Sequence, residues 1–343
     1  MGRYKVLVLK GDGVGPEVVN GCLQVLDAVQ EVTPGLYLEY IEADAGLYCI
    51  EKYGTNLPAH TIELFKECNA CLKGPMTTIE KVGAPPSVVV TLRKLFDLYV
   101  NLRPCKTYPG IRSLAPDIDL VIVRENTEGL YSGYEYKPAE GVTCAIRVIT
   151  KEASRKIAKF ALDLARKRSM KRKVTIAHKA NILRLTCGMF RDTCLEVAMQ
   201  YPDITVEELR IDALAMQLIK RPAEFDVIVT TNLFGDILSD EAAQLVGGLG
   251  IAAGANIGDK YGMFEPVHGS APKYAGKNVA NPTAMILSAK MMLDWLGESD
   301  AAKRIEDAVV HVLNEAKKVT FDLGGNAKTS EMAEAIAQAV KNC

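Results

Sequence analysis

The sequence lacks most of the marks that place a chain in a membrane, outside the cell or on nucleic acid. It contains no run of about 18 apolar residues, so no membrane-spanning helix is expected. The apolar stretch from Tyr4 to Leu9 begins almost at once and leaves no room for a signal peptide. Val6 stands where a myristoylation pattern after Gly2 requires Ser or Thr. Its 41 Lys and Arg are balanced by 42 Asp and Glu, a net charge of −1, so no global field draws it to polyanions or anionic lipid. Internal repeats, low-complexity tracts and flexible linkers are missing too, so any second domain must be joined by tight crossovers. The cysteine pair Cys68-Asn69-Ala70-Cys71 has no companion pair, and it reads as ordinary burial at a helix-to-strand junction. Nine cysteines, an odd count scattered through apolar segments, predict free thiols and a cytoplasmic location.

What is present is an alternation of short apolar runs and longer amphipathic ones. Strands are expected over 4–9, 36–43, 70–73, 119–123, 142–149, 173–178, 204–210 and 226–231. Helices are expected over 15–30, 57–67, 87–97, 151–167, 182–199, 213–219, 235–246, 283–296, 299–316 and 329–341. This pattern predicts an α/β protein with a largely parallel sheet. The stretch 130–150 breaks it with Tyr131, Tyr134 and Tyr136, then Pro138 and Gly141, then "VTCAIRVIT". That reads as a hairpin-like insertion and a dimer contact. The basic run "RKRSMKRK" closes a predicted helix, where cations favour the negative end of the dipole; it reads as a solvated helix end, with a polyanion site as the alternative.

Four segments carry polar residues that a plain fold does not require. Arg93 and Arg103 bracket a helix-to-strand passage in "TLRKLFDLYVNLRP", and Arg124 ends the apolar strand of "VIVRENTEGLYSGYEY". Each alone reads as a structural ion pair. Together they point to a small substrate with two or three carboxylates, because guanidinium binds carboxylate through paired hydrogen bonds. In "NLFGDILSDEAAQLVGGLG", Asp236 and Asp240 are four apart and share a helix face, where hard oxygen ligands suit Mg²⁺ or Mn²⁺. Asp212 completes such a set; a solvated acidic helix start is the plain alternative. The fourth segment, "VHGSAPKYAGKNVANPTA", is rich in small residues that let a ligand approach the backbone, with lysines able to meet phosphate. Lys179, in "KVTIAHKANIL", follows a buried strand and is either snorkelling to the surface or poised for proton transfer.

Read together, "GDGVGPEV", "KGPMTT", "LRKLFDLYVNLRP", "VRENTEGLYSG", "AHKANIL", "NLFGDILSD", "GGLGIAAGANIGD" and "EPVHGSAPKYAGKNVANPTA" resemble the β-decarboxylating dehydrogenases. This is the family of isocitrate, homoisocitrate and 3-isopropylmalate dehydrogenases, and the resemblance runs almost end to end. It implies the two-domain isopropylmalate dehydrogenase-like fold rather than a standard Rossmann domain. The large domain would be 1–98 with 248–343, and the small domain 99–247 would carry the insertion. The active site would lie in a cleft shared by the two chains of a homodimer. By the same resemblance, Arg93, Arg103 and Arg124 match the carboxylate-binding arginines, and Tyr131 and Lys179 the acid–base pair. Asp212, Asp236 and Asp240 match the metal ligands, with Lys179 and Asp212 coming from the neighbouring subunit. The implied reaction is oxidation of a 2-hydroxy acid at C2 by hydride transfer to a nicotinamide, then loss of CO₂ and protonation by Tyr131. A non-catalytic regulatory subunit would be expected to lose these groups, and they are all in place.

Cofactor residues implied by the resemblance are Thr78, Arg221, His268, Gly269, Ser270, Ala271, Lys273, Tyr274 and Asn281. Lys273 and Tyr274 stand where NAD-using members often carry Asp-Ile, and with Arg221 they favour NADP over NAD. Phe321 and Gly325 depart from the NADP pattern. For the substrate, Lys73 and Ser87 match the isocitrate branch, whereas Val89 replaces an asparagine that would donate to a third carboxylate. Isocitrate is the leading expectation, with homoisocitrate and 3-isopropylmalate as alternatives. The glycines of "GDGVGPEV" miss the dinucleotide fingerprint because the third comes one residue early. Pro16 and Glu17 suit a helix start, so the loop reads as a tight turn that at most brushes the cofactor.

Overall fold

The computed structural model describes residues 2–342. The chain runs through β1 (Gly2–Leu9), α1 (Gly15–Val32), β2 (Leu36–Glu42), α2 (Tyr48–Tyr53), α3 (Ala59–Glu67), β3 (Ala70–Lys73) and α4 (Val88–Leu95). It continues through β4 (Val100–Lys106), β5 (Asp119–Glu125), β6 (Glu135–Ala139), β7 (Val142–Ala145), α5 (Lys151–Arg168), β8 (Lys173–His178), α6 (Thr186–Ala198), β9 (Thr205–Arg210) and α7 (Ile211–Lys220). Last come β10 (Val227–Thr230), α8 (Asn232–Leu245), β11 (Ala253–Ile257), β12 (Gly262–Pro266), α9 (Thr283–Leu296), α10 (Ser299–Glu315) and α11 (Thr329–Asn342).

These elements form two compact units. The first runs to Leu92, returns for Tyr108–Arg112 and resumes at Gly247; the second comprises Arg93–Thr107 and Ser113–Val246. The division falls inside α4 rather than after Leu98, so Arg93 is grouped with Arg103 and Arg124. In the first unit the strands lie in the order β2-β1-β3-β12-β11, parallel except for β11 against β12. In the second the order is β4-β5-β10-β8-β9, parallel except for β4 against β5. Helices cover the sheet, which is why Val6–Leu9 and Val121–Val123 read as unbroken apolar runs: both faces of these strands are buried. α9 lies against β3, β11 and β12 and is buried almost all round.

Four strands depart from the expectation drawn from the sequence. β4 holds Asn101, Arg103 and Pro104, a composition that hides a strand. β11 and β12 are Gly-containing segments without the β-branched pattern. The strand expected over 142–149 stops at Ala145; beyond it Ile146 N–H donates to the Tyr134 carbonyl at 2.8 Å and Val148 pairs with Gly129. β6 and β7 form an exposed antiparallel ribbon whose register shifts between Tyr136 and Ala139, around Pro138. The basic run ends α5 at a left-handed Ser169 and is met by carboxylates: Arg168 reaches Asp226 at 2.9 Å and Asp119 at 2.8 Å. All eight described cysteines are free thiols. Among the described residues, no helix is long and apolar enough to cross a membrane.

Candidate active site

The second unit gathers the residues suited to a small acid. Arg124, at the end of β5, is 1% exposed. Its Nε and Nη2 donate to the Asn232 side-chain oxygen at 3.0 and 2.6 Å, and its Nη1 pairs with Asp236. Gly235 makes room for it, since a Cβ there would lie 2.6 Å from the Arg124 Cβ and Cγ. Tyr131 follows Gly129 in a short turn that bends the chain back. Its hydroxyl donates to the other Asp236 oxygen, and its ring lies 5.0 Å from the Arg124 guanidinium carbon. Arg103 is buried on β4, with its Nε donating to Asn101 at 2.5 Å, and Arg93 is buried on α4.

This clustering sets the charges. Burial alone would raise the Asp236 carboxyl, but Arg124, the Tyr131 hydroxyl, Arg103 and Arg93 hold it below the usual carboxylate range. Asp240, one turn along α8, is instead raised, by burial first and by the Asp236 charge second. Burial and the Asp236 hydrogen bond raise the Tyr131 phenol, so it stays protonated at neutral pH. Two hard carboxylates on one helix face fit a divalent cation, which would relieve the burden on Asp240. Among the described residues no three His, Cys, Asp or Glu side chains come together to hold a metal. Asp212, exposed in the first turn of α7, pairs with Lys179 at 2.7 Å, and that bond first among causes lowers its carboxyl.

The nucleotide-type residues lie in the first unit, around a cavity of about 380 Å³ lined by Val14, His268, Gly269, Ala271, Tyr274 and Asn281, with Phe321 and Asp322 opposite in sequence. The Tyr274 and Phe321 rings lie 5.7 Å apart, and Lys273 sits 4.9 Å from the Tyr274 ring. His268 Nδ1 meets the Gly269 carbonyl at 3.0 Å, so it is the donor there, and the buried Nε2 is an acceptor without a partner. Burial lowers its basicity and keeps the ring neutral. An unpaired acceptor beside an aromatic pair suits a nucleotide with hydroxyl or amide donors. Asn281 donates to Asp322 at 3.0 Å and also accepts from the Thr283 N–H at 2.9 Å.

The opening turn supports this loop. Gly11 and Gly13 have positive φ, and a Cβ at Gly13 would overlap the Ser270 carbonyl, which accepts from Val14 N–H at 2.9 Å. Asp12 accepts from Leu47 N–H at 2.8 Å and Thr77 N–H at 2.9 Å, and Thr77 and Ser270 hydroxyls meet at 2.5 Å. Thr77 is thus the anchored threonine, whereas Thr78 is exposed.

Other expected residues are placed differently. Lys73 is 1% exposed; it pairs with Glu265 at 2.8 Å and donates to the Gly74 carbonyl at 2.7 Å. Its charge is therefore answered within its own unit. Ser87 precedes α4 and Val89 lies in its first turn, both half-buried. Arg221 ends α7 and is held by Gln217 and Glu224, both at 2.7 Å. Sequence reasoning missed Asn232 and Gly235. Both are poor helix formers inside the first turn of α8, and that was the available signal.

The family described as isocitrate/isopropylmalate dehydrogenase matches residues 5–336. A 3-isopropylmalate/3-methylmalate dehydrogenase of Methanocaldococcus jannaschii is 51% identical over 341 residues, covering 98% of this chain and 99% of the relative. An isocitrate/homoisocitrate dehydrogenase of Thermus thermophilus is 50% identical over 340 residues, covering 99% of each. The crystal structure of isocitrate dehydrogenase from Methylococcus capsulatus superposes with a TM-score of 0.94 at 45% identity, covering 98% of this chain and 99% of that one.

Proposed function

Since the chain belongs to the isocitrate/isopropylmalate dehydrogenase family, we propose that it oxidises and decarboxylates a 2-hydroxy-3-carboxy acid, using NADP and Mg²⁺ or Mn²⁺. The observation that carries this reading is the buried Arg124 guanidinium, held beside Tyr131 and Asp236 with Arg103 and Arg93 adding positive charge. Arg93, Arg103 and Arg124 bind the two carboxylates common to these acids. Tyr131 holds a phenolic proton at neutral pH and delivers it to the product carbon. Lys179, oriented by Asp212, takes the hydroxyl proton in a site completed by a second copy of the chain.

Asp236 and Asp240, with Asp212 of that second copy, would hold the divalent ion. When bound, the ion supplies Lewis-acid polarisation of the hydroxyl and carbonyl oxygens, and the nicotinamide supplies the hydride acceptor. His268 and Asn281 present polar atoms to the nucleotide, while Lys273, Tyr274 and Arg221 favour the 2′-phosphate.

For the third arm of the acid, the reading is isocitrate. Ser87, just before α4, suits a third carboxylate without help from Lys73, whose charge Glu265 answers. A second reading, 3-isopropylmalate, is favoured by the apolar Val89 and by the Methanocaldococcus relative. Purified protein with Mg²⁺ separates them by kcat/KM for isocitrate, homoisocitrate and 3-isopropylmalate, each with NADP and NAD. Isocitrate with NADP is expected to lead. A tenfold advantage of 3-isopropylmalate would replace the substrate reading, a strong NAD preference the cofactor reading, and no turnover of any acid the whole proposal.

A further inference from the structure

A single amide decides how Arg124 presents its guanidinium. Asn232 is 0% exposed and begins α8. Its side-chain oxygen accepts from Arg124 Nε and Nη2, and its NH₂ group donates to the Glu128 carbonyl at 3.1 Å. Only an oxygen can accept from a guanidinium and only an NH₂ can donate to a carbonyl, so the amide orientation is fixed from both ends. The start of α8 is itself pinned, because Arg147 donates to the Thr231 hydroxyl at 2.7 Å and stacks 4.7 Å from the Phe234 ring.

A guanidinium carries five N–H groups. Asn232 takes the Nε–H and one from Nη2, Asp236 takes one from Nη1, and the guanidinium also hydrogen-bonds the Tyr131 side chain. With the Nε edge taken by Asn232, a carboxylate can be gripped in parallel only at the terminal Nη1–Nη2 edge. We propose that Asn232 is a positioning residue for substrate binding, orienting Arg124 through a neutral oxygen so that its terminal fork and its charge stay available to the substrate carboxylate. This rests on the reading of Arg124 as a substrate arginine. A carboxylate in the same place would orient the guanidinium equally well but neutralise it.

Asn232→Asp tests this distinction because it changes charge with almost no change in shape. The charged groups near it are Arg124 on β5, Asp236 on α8, Glu128 and Tyr131 after β5, and Arg147 beyond β7. At pH 8 the KM for the hydroxy acid is expected to rise by roughly ten- to a hundredfold, with the NADP KM within about twofold of wild type. Lowering the pH should bring the acid KM back towards the wild-type profile. The protonated carboxyl again offers a neutral acceptor to Arg124 and a donor to the Glu128 carbonyl. Asn232→Ser, compatible with a helix start but too short to reach, should show the loss at every pH. Thermal unfolding of both variants is measured alongside. An acid KM unchanged in both variants overturns the inference. So does a parallel rise in acid and NADP KM with lost thermal stability and no pH recovery, which marks a purely structural amide. Wild-type protein that turns over none of the three acids removes the proposed function and this inference with it.

Discussion

Lys73 is the residue on which sequence and structure place the greatest weight in different ways, and its replacement gives the sharpest prediction. The ammonium is 1% exposed, 2.8 Å from Glu265 and 2.7 Å from the Gly74 carbonyl. Glu265 also accepts from Asn256 at 2.8 Å. In Lys73→Met the carboxylate keeps Asn256 but loses its cation inside the first unit. Breaking one partner of a buried pair typically costs about 3–5 kcal/mol. The residual Asn256 bond points to the lower end, about 3 kcal/mol. Adding Glu265→Gln removes the stranded charge and keeps an oxygen for Asn256, so the double variant should recover most of that loss. Urea unfolding of the wild type, both single variants and the double variant closes the cycle. In the double variant, the KM for isocitrate is expected to stay within about threefold of wild type, since removing a substrate ion pair normally costs far more. A Lys73→Met variant that loses under about 1 kcal/mol of stability while its isocitrate KM rises more than tenfold would refute this reasoning and make Lys73 a substrate ligand.

Two further outcomes follow from the site. Gly235→Ala puts a methyl 2.6 Å from the Arg124 Cβ and Cγ, well inside contact distance, so Arg124 or α8 must move. A shift of about 1 Å at a substrate-holding group lowers kcat/KM on the order of a hundredfold, and overpacking costs about 1–3 kcal/mol; activity within twofold of wild type would refute the close fit. Burial lifts the Glu128 carboxyl from its ordinary 4.5 to about 7, while it accepts from Thr150 N–H at 2.9 Å. The folded chain then binds this proton more tightly than the unfolded one, so stability falls as pH rises from about 4.5 to about 7 and this group adds no slope beyond. Glu128→Gln, which keeps an acceptor for Thr150, should be more stable than wild type by on the order of 3 kcal/mol at pH 8 and show no advantage at pH 4. Denaturant unfolding at the two pH values checks this, and an equal advantage at both would contradict it.

The legible parts of the fold were those whose side chains serve only the core. α9 has the expected bounds, 283–296, because most of its residues are apolar and buried. β4 escaped because Asn101 and Arg103 occupy buried strand positions, so site chemistry overwrote the strand pattern. In the site, Arg124, Tyr131 and Asp236 were recognisable because charge at the end of an apolar strand or on one helix face demands a partner. Asn232 was not, because a lone asparagine before a helix reads as an ordinary helix start. Only the fold shows that its oxygen is turned to a guanidinium from 108 positions earlier in the chain. Likewise, the glycines of the first turn suggested a nucleotide loop, yet their backbone packs on the Ser270 loop that lines the cavity.

Arg124 and Lys73 show why burial and charge alone do not reveal a binding residue. Both are cations with 1% exposure on strands of the sheet, and the sequence gives equal reason to suspect each. The difference lies in what answers them. Lys73 meets a full carboxylate and a carbonyl, and an ammonium has only three N–H groups to give, so little remains for a ligand. Arg124 shares one carboxylate with Tyr131 and donates its Nε–H and one Nη2 hydrogen to a neutral amide, so its charge is answered only in part. Under the proposed function, a dicarboxylate at Arg124 would add a charge partner that a shared carboxylate and a neutral amide do not supply, whereas Lys73 already has a carboxylate of its own.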